Sequence, residues 1–348
     1  MQKRIAVIGA LVSLMPWGQS LLLGSTIALS TTTVVLSSQP ALAQIVDEYL
    51  VIANSLLSKG IELNVKNQHL FKEIIQLSNS ALVQNPNSDL AYAFRARAKV
   101  GLQDYQGAIN DAKASIKLNP NNKSAYIAIG NAYYMQKDYE GGISFFSKAI
   151  EIDPQKSNLY HHLAFFKWNS GDYQGAKSDY SKAIEINPSD VKAYMERASL
   201  KDAGGDYQGA KSDYNKVIEI DASDEDAYLS RAYVKKELGD YQGAISDYSK
   251  AIEINPSDAG AYWYRAVAKE DLSDYQGAIS DYNKAIKIDP SKGSSYRHRG
   301  YAKSKLKDYE GAIFDFNKSI EINPNDEYAY FNRGYTKLKL KDYQGAIF

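Results

Sequence analysis

Asp-Tyr followed by Gln or Glu and then Gly returns every 34 residues, at Asp104, Asp138, Asp172, Asp206, Asp240, Asp274, Asp308 and Asp342. A proline keeps the same step at Pro86, Pro120, Pro154, Pro188, Pro256, Pro290 and Pro324, with Ala222 in the one interrupted place. A period this strict constrains the fold more than any other feature. Each unit is too short to bury its apolar face alone and must stack on its neighbours. The chain length of 348 residues therefore says little about domain number.

Each unit reads as two helices. In residues 259–292, Ala261 to Leu272 carries apolar and aromatic residues at helical spacing, with Ser257-Asp258 placed to cap its start. Asp274 caps the second helix, Tyr275 to about Ile288. Asp289-Pro290 ends it, because a residue before proline is pushed out of the α region. No strand pattern appears after residue 44.

Certain columns hardly vary. Small residues recur at Ala96, Gly130, Ala164, Ala198, Ala232, Ala266, Gly300 and Gly334, and again at Ala108 through Ala346. A third small column holds Ala149, Ala183, Ala251 and Ala285. Small side chains let helix axes approach, and larger ones fill what is left. The fillers are expected to be the tyrosine columns Tyr92 to Tyr330 and Tyr105 to Tyr343, with Tyr180, Tyr214, Tyr248 and Tyr282. Arg95, Arg197, Arg231, Arg265, Arg299 and Arg333 form a first-helix column, and Asp111, Asp179, Asp213, Asp247, Asp281 and Asp315 a second-helix one. The unit with Ile129 in place of Arg also has Phe145 in place of Asp, so the columns are expected to pair. Leu163 beside Asp179, and Ile129 beside Asp111, leave open whether Arg pairs within its own unit or with the preceding one.

The aromatic, small residue, Gly-Asp-Tyr turn, Ala, aromatic, Ala and Pro pattern resembles the tetratricopeptide repeat. The resemblance implies an all-α fold, a right-handed α-solenoid of antiparallel helix pairs. It divides the chain into a 44–88 degenerate capping unit, seven complete units over 89–326 and an incomplete eighth over 327–348. In the capping unit Pro86 keeps the phase, while Phe71 stands where tyrosine is expected. The sequence stops part-way through a second helix, at Gln344 to Phe348, which reads as a fragment or as an end covered by another chain.

Residues 1–43 read as a signal peptide. Lys3 and Arg4 precede an apolar run from Ile5 to Met15, and Ala41-Leu42-Ala43 has the small-x-small form of a cleavage site. No run reaches the roughly 18 continuous apolar residues of a spanning helix, although an uncleaved inner-membrane anchor is the alternative. The Pro-Ala-Leu-Ala-Gln end resembles those of exported cyanobacterial proteins. A periplasmic, thylakoid-lumenal or extracellular location is expected.

Little in the chain points to catalysis. With no cysteine, thiolate zinc sites and cysteine nucleophiles are excluded. Residues 44–348 hold 39 basic and 41 acidic side chains, a net −2, which is no footprint for nucleic acid. Gly171 to Ser178 and Gly205 to Ser212 look like phosphate loops, but three residues rather than four separate the glycines. The histidines are His69, His161, His162 and His298, and adjacent His161 and His162 point about 100° apart on a helix. Carboxylates recur in every unit, whereas a catalytic pair should be singular. The sequence therefore implies no catalytic residues, no cofactor and no metal.

Some first-helix columns vary while their neighbours stay fixed. His161, Phe165 and Trp168 lie at i, i+4 and i+7, on one face of a helix. In the tetratricopeptide family that face lines a concave groove for peptides or partner helices. The resemblance carries this role to His161, Phe165, Trp168, Trp263, Tyr264, Arg297, His298, Tyr301, Phe331, Asn332 and Tyr335. A non-catalytic scaffold for protein or peptide partners is the expected function. The alternatives are the repeat arm of a larger enzyme and an assembly factor for a membrane complex.

Overall fold

A computed structural model describes residues 68–346. Residues 1–43, read as the signal peptide, the 44–67 part of the capping unit, and Phe348 lie outside the described residues. The described residues form sixteen helices and no strand. They belong to two compact units, one ending at Pro154 and the other beginning at Gln155. The first holds α1 (Gln68–Gln84), α2 (Asp89–Gly101), α3 (Tyr105–Leu118), α4 (Lys123–Met135) and α5 (Tyr139–Ile152). The second holds α6 (Ser157–Asn169), α7 (Tyr173–Ile186), α8 (Val191–Ala203), α9 (Tyr207–Ile220), α10 (Glu225–Glu237) and α11 (Tyr241–Ile254). It continues with α12 (Ala259–Asp271), α13 (Tyr275–Ile288), α14 (Gly293–Lys305), α15 (Tyr309–Ile322) and α16 (Glu327–Lys339). Within each unit every helix packs on the one before it, the α-solenoid arrangement of helix pairs.

Local chemistry sets the helix bounds. The aspartate of each turn caps the second helix: Asp274 accepts from the Gly277 N–H at 2.9 Å. A Cβ on Gly277 would lie 2.1 Å from that carboxylate, so the turn requires glycine there. The first helix closes through a left-handed residue, and the Asp274 N–H returns to the Lys269 carbonyl at 2.9 Å. Helix α12 begins at Ala259, two residues before the expected Ala261, because Asp258 alone caps it, accepting from Gly260 at 2.7 Å. It ends one residue early, at Asp271, because Leu272 already belongs to the turn.

The core follows the repeated columns. Ala266, Ala278, Ala285 and Tyr282 are buried together, and Tyr180, Tyr214 and Tyr248 are equally enclosed in their own repeats. The turn tyrosines from Tyr105 to Tyr309 are half-buried, with Tyr105 and Tyr207 packed on the core, except Tyr173, which is 58% exposed.

Arg and Asp pair within one repeat. Arg265 donates from Nε to Asp281 at 2.8 Å and from its terminal nitrogen at 2.6 Å, a two-pronged contact. Its remaining nitrogen donates to Ser249 of the preceding repeat at 3.0 Å, so one guanidinium joins two repeats. Lys269 adds a second cation to Asp281 at 2.7 Å, and the guanidinium lies over the Tyr262 ring. The same set recurs around Arg95, Arg197, Arg231 and Arg299. The lysine column and the Ser/Asn column on the preceding helix are parts of this ladder that the Arg and Asp columns alone did not reveal.

Candidate functional site

The varying first-helix positions of the second unit form two aromatic patches. On α6 the His161 ring meets Tyr180 edge-on at 5.3 Å, and Phe165 meets Trp168 at 6.4 Å. All three groove residues of α6 are half-buried. Burial, and then the charge of Lys192, push the His161 pKa below its ordinary value and favour the neutral ring. The His161 and His162 rings stand nearly perpendicular, 6.3 Å apart. No group of three His, Cys, Asp or Glu side chains able to hold a metal ion occurs among the described residues.

The second patch spans α12, α14 and α16. Trp263 meets Tyr264 edge-on at 5.1 Å and His298 at 5.3 Å. Tyr264 stacks on Tyr248 at 5.9 Å, so a core tyrosine supports a groove tyrosine. His298 Nδ1 lies 3.2 Å from the Glu270 carboxylate. Beside this pair is a cleft of about 220 Å³ lined by Glu270, Arg297, His298, Tyr301 and Asn332. Arg297 forms an ion pair with Asp326 at 3.2 Å and lies over the Tyr328 ring. Behind the cleft, burial and then the charge of Glu270 raise the pKa of the Tyr282 phenol and keep it neutral. Glu270 Oε1, Arg297 Nε, Trp263 Nε1 and the Tyr282 hydroxyl are buried without a hydrogen-bond partner.

The sequence-derived groove residues thus divide three ways. Trp263, Tyr264, Arg297, His298, Tyr301 and Asn332 come together around this second patch. His161, Phe165 and Trp168 form the separate patch on α6. Phe331 and Tyr335 are exposed on α16 and do not line the cleft. The residue that sequence reasoning missed is Glu270. The spacing that joined His161 to Trp168, i to i+7, equally joins Trp263 to Glu270, and applying it to every repeat would have found the carboxylate.

Comparison with known proteins agrees with this architecture. Models described as the tetratricopeptide repeat match residues 95–157, then 157–190, 191–224 and 259–292, then 294–326 and 316–348. A further TPR-repeat model matches residues 233–273. No curated protein matches the chain. Among solved structures, the C-terminal part of a TPR repeat-containing protein from Cytophaga hutchinsonii is 17% identical. The match covers 68% of this chain and 97% of that one, with a TM-score of 0.61, and it shows the shared fold. A tetratricopeptide repeat protein from Parabacteroides merdae is 21% identical over 76% of this chain and 98% of its own, with a TM-score of 0.47. YrrB, described as a TPR protein with an unusual peptide-binding site, is 21% identical over 57% of this chain and 97% of its own, with a TM-score of 0.49. Between residues 95 and 348, therefore, this chain carries tetratricopeptide repeats.

Proposed function

We propose that the chain is a protein-interaction scaffold that holds a peptide segment or a partner helix on the first-helix face of residues 155–348. One observation carries this reading. Tyr233, Tyr264 and Tyr301, on the successive first helices α10, α12 and α14, are 38–44% exposed, although each repeat already has a complete buried core. Aromatic side chains left over from the core, beside a cleft with polar groups, form the kind of surface on which apolar anchors dock. With residues 1–43 read as an export signal, the partner is a protein of the cell envelope.

Random twelve-residue peptides displayed on phage and panned against the full chain test this. We expect recovered binders to be lost with Tyr264→Ser plus Tyr301→Ser. They should persist with Tyr173→Ser, which removes an exposed tyrosine at the start of a second helix. Binding insensitive to the first pair would remove the docking face from the proposal.

A further inference from the structure

We infer that the cleft between α12, α14 and α16 receives a lysine or arginine side chain of the docked segment, with Glu270 as its counter-ion. This rests on the docking reading above and names the chemistry of the docked group.

Glu270 is a buried carboxylate that lines the cleft at this face. Its side chain is 10% exposed, its Oε2 lies 3.2 Å from His298 Nδ1, and the Tyr282 hydroxyl adjoins the carboxylate. Its Oε1 is buried without a partner. Arg297, which lines the same cleft, is ion-paired with Asp326 at 3.2 Å. A carboxylate held out of water with half its acceptor capacity unused is costly, and a donor arriving from outside recovers that cost. The donor has room: the cleft measures about 220 Å³, against ~30 Å³ for a water in the liquid.

The surroundings favour a cation over a neutral donor. Trp263 and Tyr301 flank His298 and the cleft, and each already holds a lysine of the chain against its ring, Lys292 at 5.5 Å and Lys305 at 5.0 Å. Tyr301 itself lines the cleft, so a cation entering it meets an aromatic side chain. Those lysines are themselves exposed and well screened, so they oppose an incoming cation less than buried Glu270 attracts it.

The test compares phage-displayed random peptides panned against the full chain and against Glu270→Gln. Wild-type binders should share a lysine or arginine at a fixed distance from apolar residues, and binders selected on Glu270→Gln should not. A resynthesised wild-type binder should lose at least about tenfold in affinity for Glu270→Gln. Replacing its cationic residue by glutamine should cost a similar factor on the wild-type chain, with no further loss when both changes are combined. The melting temperature of Glu270→Gln should be unchanged or higher, since a buried carboxylate with an unused acceptor is removed while the contact to His298 can persist. A fall of several degrees would make Glu270 structural and overturn the inference. Binders on the first-helix face without cationic preference would overturn it while leaving the docking reading intact. No binders on that face would overturn both.

Discussion

The repeats at 123–156 and 259–292 solve the same packing problem with opposite chemistry. In the second, Arg265, Lys269 and Asp281 form a three-membered ionic cluster. In the first, the same three positions hold Ile129, Tyr133 and Phe145, and Tyr133 stacks on Phe145 with centroids 5.6 Å apart. All three members changed together, and the helix pair around them stayed the same. Where the carboxylate is lost both cations are lost with it, although a carboxylate can persist with one cation, as Asp179 does with Lys167. Removing every charge is safer than removing the acceptor alone.

That contrast can be broken most forcefully at Asp281. Asp281→Ala leaves Arg265 and Lys269 facing each other without their shared carboxylate, and should cost about 2–3 kcal/mol in urea unfolding. The cost stays at the low end because both cations reach water. Arg265→Ile with Lys269→Tyr and Asp281→Phe rebuilds the apolar set and should stay within about 1 kcal/mol of wild type. The Ser249 hydroxyl that Arg265 abandons keeps its bond to the Ile245 carbonyl, at 2.7 Å, so the swap orphans nothing there. A triple variant as unstable as Asp281→Ala would show that the repeat needs the charges themselves.

The next difference lies one residue along each helix. Gly130 faces Phe146, and a Cβ there would approach the ring to 2.4 Å. At the equivalent place Ala266 already packs beside Tyr282. Gly130→Ala should therefore cost about 1–3 kcal/mol, and Ala266→Leu a similar amount, both read as a lowered urea midpoint. A midpoint unchanged by Ala266→Leu would contradict the close approach of α12 and α13.

How much of this the sequence disclosed depends on whether the physics recurs. The turn aspartate, the small columns and the Arg–Asp pairing recur, so the 34-residue step exposes them. The joint exception at Ile129 and Phe145 pointed to pairing before any distance was known. The partner in the preceding repeat stayed hidden because it alternates between Ser249 and Asn283, two residue types with one hydrogen-bonding role. The candidate site is the opposite case. Trp263 and His298 occupy positions that vary, and only the folded chain shows that Trp263 meets His298 and His298 meets Glu270. Phe331 and Tyr335 satisfy the same sequence rule without reaching the cleft, because periodicity fixes a face and not a neighbour.

A smaller difference concerns how the first helix stops. Gly171, Gly205 and Gly239 take up the left-handed turn freely, whereas Lys137 and Ser273 occupy it at φ 59° and 61°. A side chain there is strained by its own Cβ. Ser273→Gly should stabilise by about 0.5–1 kcal/mol, the strain relief exceeding the added freedom of the unfolded glycine. Lys137→Gly should do the same, since the two repeats share this turn despite their different ladders. An unchanged or lowered midpoint would place the strain elsewhere.

The smallest expected effect tests an intermediate between the two chemistries. The 157–190 repeat keeps Asp179 and Lys167, 2.6 Å apart, but has Leu163 where the ladder places arginine. Burial accordingly raises the Asp179 pKa above the ordinary carboxylate value, with Lys167 pulling it down less strongly. Between those two values the folded repeat binds more protons than the unfolded chain. Its stability therefore rises as pH falls from the raised value to the ordinary one, and is level above that interval. Leu163→Arg places a second cation against the carboxylate, so the folded pKa should drop and this gain on acidification should shrink or reverse. Carboxyl carbon NMR of Asp179, with melting curves from about pH 3 to 7, reads both quantities around the ordinary carboxylate range. Identical Asp179 titrations in the two proteins would mean that the missing arginine is not what sets this carboxylate apart.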